Sequence, residues 1–90
     1  MDTDRAPSDG EVLSRREREI LQGIARGLDI AMIADRLDIA EDVVRADMRN
    51  VRHRLRASNR LEAVLLALQR GWIDVPPGGL PGQLTERWID

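Results

Sequence analysis

The sequence predicts an all-α fold, a four-helix bundle with a helix-turn-helix at its centre. Three observations carry that prediction. Apolar residues recur at three- and four-residue spacing in four stretches between residues 13 and 73, the pattern of helices with one buried side. Ser14 with Glu17, and Asn59 with Glu62, read as capping boxes that open the first and last of these stretches. The second and third stretches are separated only by Asp38, Ile39 and Ala40, a connector so short that the two helices must cross steeply. On this pattern residues 12–73 form the helical domain, residues 1–11 a disordered acidic segment and residues 74–90 a Pro/Gly-rich C-terminal tail.

The first helix starts after Ser14, with Leu13 placed to staple its entrance. It buries Ile20, Leu21 and Ile24 and stops at Gly27, beyond which Leu28 folds back onto the core. Asp29 caps a short second helix, Ile30–Leu37, expected to turn Ile33, Ala34 and Leu37 inward. The third helix runs from Glu41 to about residue 56 and buries Val44, Met48, Val51 and Leu55, at i, i+4, i+7 and i+11. Ala40 offers no side-chain acceptor at its N-cap, so Glu41 or Asp42 serves the helix dipole instead. The fourth helix follows Asn59, closes at Gly71 and is apolar on more than one side. Leu61, Val64, Leu65 and Leu68 are expected to face inward, leaving Ala63, Leu66, Ala67 and Arg70 as a second patch. An extra apolar face on the last helix of a small domain points to a partner helix, hence a homodimer through the fourth helix, with packing on the tail as the alternative. Residues 85–90 are expected to add a final turn that docks Trp88.

Composition bounds what such a domain does. At 42% apolar and 33% charged residues, the chain is ordinary for one soluble globular domain. No window approaches the ~18 consecutive apolar residues of a membrane span, and the start MDTDRAPSDG is unlike a secretory leader, so a cytoplasmic, nucleoid-associated location is expected. The absence of cysteine excludes disulfides and zinc-finger chemistry, and His53, the only histidine, has no second ligand beside it. Glu17 and Glu19 read as first-turn residues favoured by the helix dipole rather than an acid/base pair, and no nucleophile sits beside a base. The expectation is therefore no enzyme, no cofactor and no metal. Trp72 and Trp88 are the only aromatic residues, too few for a single-strand stacking platform.

Charge is distributed more informatively than its total of −2 suggests. Residues 1–11 carry −3 and residues 74–90 carry −2, which leaves +3 on residues 12–73, and all fourteen cations are arginine. At ~100° per residue, Arg45, Arg49, Arg52 and Arg56 fall on one flank of the third helix. Val43, Asp47, Asn50 and Arg54 fall on the other, with Ala46 and His53 between. Such a helix suits a major groove, with cations for phosphates and short polar groups for base edges. Asp47 does not suit that position.

These residues resemble a known family. LSRREREIL, then I-A-x-G-L at residues 24–28, I-A-x-R-L at 33–37, V-R at Val44 and Arg45, N-V-x-x-R-L at 50–55 and E-A-V at 62–64 follow the order and spacing of the LuxR/GerE-type (FixJ or NarL type) helix-turn-helix domain of bacterial transcription regulators. The first three helices also resemble region 4 of sigma factors, but the E-A-V helix ending in G-W-I looks like LuxR/GerE. The resemblance implies a third helix that reads double-stranded DNA and a fourth that pairs two subunits over half-sites. By position it implies DNA contacts from Arg45, Asn50 and Arg54, with Val43, Ala46, Arg49 and His53 on the same recognition helix. The chain departs from the family pattern at the third-helix cap, Ala40 in place of Ser, at Val43 in place of Thr and at Asp47 in place of His. It departs again at the opening of the second helix, where Asp29, Ile30, Ala31 and Met32 replace a polar run. Val43 is then expected to touch a thymine methyl, Asp47 to accept from cytosine N4, and Ile30 and Met32 to add apolar surface.

Two functions compete on this basis. One is a stand-alone transcription regulator that binds promoter DNA as a homodimer, Arg45, Arg49 and Asn50 reading bases while Arg54 holds the backbone. The other is a degenerate helix-turn-helix, an interaction module that binds another regulator or RNA polymerase through Ile30, Met32, Val43 and Asp47. Control by the acidic N-terminal segment shielding the basic helix is a further expectation.

Overall fold

The computed structural model describes residues 13–82. The acidic segment and the turn expected at residues 85–90 around Trp88 lie outside the described residues. Four helices follow in order, α1 (Arg15–Ala25), α2 (Ile30–Leu37), α3 (Glu41–Leu55) and α4 (Arg60–Gln69). The fold is all-α, as the sequence predicts, and α3 packs against each of the other three helices.

Local chemistry accounts for the boundaries. At α1 both halves of the capping box form: the Glu17 amide donates to Ser14 Oγ at 3.1 Å, and the Ser14 amide donates to Glu17 Oε1 at 2.9 Å. Asp29 caps α2 by accepting from the Met32 amide at 2.9 Å. α3 has no side-chain cap at Ala40 and carries Glu41 and Asp42 in its first turn. α4 departs slightly from expectation. Asn59 accepts from the Glu62 amide at 2.8 Å, but the Glu62 carboxylate reaches back to the Ser58 amide, at 2.6 Å, rather than to the N-cap amide.

All four helices close in the same way, with two amides beyond the last turn returning to carbonyls within it. After α1 the Leu28 amide donates to Gly23 O at 3.1 Å and the Gly27 amide to Ile24 O at 2.9 Å, with Gly27 at φ 89°. Gly71 and Trp72 close α4 through Leu68 O and Ala67 O. At the ends of α2 and α3 the left-handed residue is not glycine. Asp38 holds φ 59° and Arg56 holds φ 58°.

The core is built from Ile20, Leu21 and Ile24 of α1, Val44 and Val51 of α3 and Val64 of α4, all fully buried, with Met48, Leu55, Ile33, Ala34 and Ile73 around them. Two positions differ from the sequence expectation, the start of α2 and the inward side of α4. Ile30 is buried rather than surface, since the start of α2 packs into the core cluster, while Met32 is half exposed. Leu37 is partly buried and packs against the core, as expected. On α4 the inward stripe is Ala63, Val64 and Ala67, all at 0% exposure, whereas Leu65 is 46% exposed and Leu61 and Leu68 are half buried. Ala63 and Ala67 therefore belong to the interior of this chain and cannot form a dimer surface. Their small side chains let α4 lie close to the bundle, which puts the bulkier leucines at its margin. Leu66 is partly buried against the core, and Arg70 is exposed with its guanidinium 5.3 Å from the centroid of the Trp72 ring.

Beyond α4 the chain turns back along α1. Ile73 enters the core, and Gln22 and Asp74 exchange two hydrogen bonds, Gln22 Nε2 to Asp74 O at 2.8 Å and the Asp74 amide to Gln22 Oε1 at 2.9 Å.

Candidate nucleic-acid interface

Helix α3 presents four different surfaces. Its apolar stripe, Val44, Met48, Val51 and Leu55, is core. The opposite side carries Arg49, Asn50 and His53, all exposed, with Ala46 half buried among them. The two flanks between these sides differ in kind.

On one flank the arginines stand together. Arg49, Arg52, His53, Arg56 and Ala57 line an open depression of about 500 Å³, and Arg45, Met48, Arg49, Arg52 and Arg60 line a second of about 170 Å³ beside it. Arg45 is about half exposed and lies 3.3 Å from Glu41 Oε1 and 3.6 Å from Asp42 Oδ1, ion pairs of adjacent helical turns. Both pairs are open to solvent, where such contacts are worth ~0–1 kcal/mol, so a phosphate can displace them at little cost. Arg60 joins this group from the first position of α4, and the sequence reading missed it because no periodicity within α3 can reveal a neighbour across a loop. Arg52 and Arg56 were legible as part of the i, i+4, i+7, i+11 arginine row starting at Arg45.

The other flank is bound to α1. Asp47 is buried, and Arg16 reaches it with two bonds, Nε to Oδ2 at 2.6 Å and Nη2 to Oδ1 at 3.1 Å, a bidentate pair. The hydrogen bond to Asp47, and then the attraction of its charge, raise the Arg16 guanidinium above its ordinary value. Two turns further along, Arg54 is ion-paired to Glu17, itself buried. Asp47 therefore does not face outward to accept from cytosine N4, as its position in a family recognition helix suggests. Arg54, ~180° around the helix from Arg45, is tied to α1 by this pair while remaining at the surface. Sequence alone hid both pairs, since Arg16 and Glu17 lie 31 and 37 positions from their partners.

Val43 is half buried at the start of α3, between the outer side and the α1 flank. Of the residues singled out from the sequence, Arg45, Arg49, Asn50 and His53 are thus exposed together on α3, with Ala46 and Val43 beside them. Among the described residues no group of three or more His, Cys, Asp or Glu side chains is arranged to hold a metal ion, and no helix is long and apolar enough to cross a membrane.

Known proteins share this arrangement of sequence. The family model "Bacterial regulatory proteins, luxR family" matches residues 11–67, more than half of the chain. The transcriptional regulatory protein DegU of Brevibacillus brevis is 33% identical over 64 residues, which cover 71% of this chain and 27% of DegU. The nitrate/nitrite response regulator protein NarL of Escherichia coli K12 is 40% identical over 63 residues, 68% of this chain and 29% of NarL. The probable transcriptional regulatory protein NarL of Mycobacterium tuberculosis H37Rv is 37% identical over 70 residues, 78% of this chain and 32% of that protein. The chain thus spans about a third or less of the length of these relatives. With the matched residues extending through all of α1–α3 and most of α4, the chain belongs to the luxR family of bacterial regulatory proteins, and α2 and α3 are its helix-turn-helix.

Proposed function

We propose that this chain binds promoter DNA as a transcription regulator, with α3 in the major groove and residues 12–73 sufficient for binding. The supporting observation is the asymmetry of α3: one flank has its charges neutralised against α1, while the outer side and the other flank keep Arg45, Arg49, Asn50, His53 and Arg56 exposed. Arg45, Arg49 and Asn50 read base edges, Ala46 and Val43 pack on the groove floor, and His53, Arg52, Arg56 and Arg60 follow the phosphates. Such a protein works at the nucleoid. The names of the relatives, all transcriptional regulators or response regulators, agree with this reading.

A homodimer through α4 is part of the proposal, but through a different stripe. Leu61, Leu65 and Leu68 stand at i, i+4 and i+7 on the outer edge of α4 and form the apolar row a second copy would cover. Two-fold pairing there would place two α3 helices on a pseudo-palindromic site. Leu65→Glu should convert dimer to monomer in sedimentation equilibrium and abolish binding to a two-half-site duplex; an unchanged mass would remove this stripe from the interface.

The interaction-module alternative loses two of its four residues, because Ile30 and Asp47 are buried, and keeps Met32 and Val43. Fluorescence anisotropy with duplexes selected from a random pool, at low and at physiological salt, decides between the two. A selected sequence bound more tightly than random duplex supports the regulator; no preference at either salt favours the module that binds another regulator or RNA polymerase.

A further inference from the structure

We propose that Asp47 is a positioning residue for base recognition: by clamping Arg16, it fixes the rotation of α3 about its own axis and thereby determines which sequence the helix reads. The proposal rests on the DNA-binding function proposed above. Glu17 and Asp47 are the buried charged residues among those described, and both are spent on the same interface. The pairs run in opposite senses, α1 giving a cation to Asp47 and a carboxylate to Arg54. Their α3 members are seven residues apart, ~10 Å along the axis, so one pair alone would act as a pivot while two prevent both tilt and roll.

The consequence differs for the two kinds of DNA contact. An α-helix with its side chains has a radius of ~5–6 Å, so a roll of ~10° displaces side-chain tips by ~1 Å. That displacement breaks a hydrogen bond to a base edge, whose useful range of donor–acceptor distance is only ~0.5 Å wide. It changes little for an arginine near a phosphate, because Coulomb attraction falls slowly with distance. Loosening the clamp should therefore remove preference between sequences while leaving affinity for random duplex nearly intact. Side chains with a direct base contact would behave otherwise, losing affinity for the preferred site with no change in the setting of the helix.

The test uses Asp47→Asn and Arg16→Gln, singly and together, in the full chain. The first uncovers a cation and the second removes one, so a simple charge effect would move affinity for random duplex in opposite directions. The clamp instead predicts that the ratio of affinities for the selected and random duplexes falls at least fivefold in both, and no further in the double variant. A ratio within twofold of the parent chain in either single variant overturns the proposal. Because the chain has no cysteine, Glu19→Cys with His53→Cys can carry two spin labels without further change. Without DNA, the distance distribution between α1 and α3 should be narrow, and it should broaden on Asp47→Asn; an unchanged width also overturns the proposal. Should the parent chain select no sequence, the DNA-binding function fails while the distance measurement still decides whether the clamp sets α3.

Discussion

The two flanks of α3 begin with the same chemistry and end with opposite roles. Arg45 and Arg54 sit ~180° apart on one helix, both carried by an arginine-rich sequence. Arg54 meets Glu17, a buried carboxylate of α1, and becomes part of how the helices are joined; Arg45 pairs, among the described residues, with Glu41 and Asp42 of its own helix, in solvent. Asp47 shows the same rule with the sign reversed, since a carboxylate that would repel a phosphate is neutralised by Arg16. The partner across the helix interface, rather than the residue type, assigns each charge to fold or to function.

Removing an arginine from the open flank should have the largest effect. Arg49 lies in both basic depressions and on the outward side of α3. Arg49→Ala should weaken binding to the selected duplex by at least tenfold, consistent with the ~1–3 kcal/mol of a bidentate base contact. Its salt dependence should flatten only if Arg49 also displaces phosphate counterions. Thermal unfolding should barely move. A loss of stability comparable to the loss of affinity would place Arg49 with the fold and erase the contrast between the flanks.

Removing the carboxylate from the closed flank should do the reverse. Glu17→Gln preserves the capping box, which glutamine also satisfies, and deletes only the charge facing Arg54. Breaking a fully buried pair costs ~3–5 kcal/mol, but the Arg54 side chain is 34% exposed and can recover water, so the expected loss is ~1–2 kcal/mol. For a domain of this size that lowers Tm by roughly 4–8 °C per kcal/mol. Calorimetry of Glu17→Gln checks it, and an unchanged Tm would show the pair to be no more than a surface contact.

The same contrast explains how much was legible in the sequence. Helix starts, the short α2–α3 turn and the core stripes of α1 and α3 depend on neighbours within about one turn or on a strict period, and those could be read directly. The exposed group Arg45, Arg49, Asn50 and His53 was legible for the same reason. The α4 face was not, because RLEAVLLALQ is apolar in nearly every direction and leaves the choice of inward side to tertiary fit; alanines won over leucines. The inward setting of Asp47 and the pairing of Arg54 with Glu17 could not be read because their partners are distant in sequence, and a helical position says which way a charge points but not what it meets.

A smaller effect tests whether α4 is fastened by its first turn. Hydrogen bonding from the Ser58 amide, and then from its hydroxyl, holds the Glu62 carboxyl below the usual carboxylate range. A lowered folded value means that the ionised form stabilises the fold above the carboxylate range and that this contribution is lost as pH falls through it. The stability difference between the parent chain and Glu62→Gln should therefore be present at neutral pH and shrink as pH falls through and below the ordinary carboxylate range. A difference independent of pH in urea titrations would assign the effect to packing instead of charge.

The smallest expected effect separates strain from function at the ends of α2 and α3. Asp38 and Arg56 both occupy the left-handed region, which costs an ordinary L residue ~1–2 kcal/mol and aspartate somewhat less. Glycine relieves that strain but gives back part of the gain through the entropy of the unfolded chain, so each substitution to glycine should stabilise by only ~0.5 kcal/mol. Stability alone would make the two positions look alike. Arg56, however, lines the larger basic depression and Asp38 does not. Arg56→Gly should therefore gain stability while losing about one unit of salt slope in DNA binding, whereas Asp38→Gly should gain it with the slope intact. Equal slopes in the two variants would detach Arg56 from the open flank and confine the DNA surface to Arg45, Arg49 and the outer face of α3.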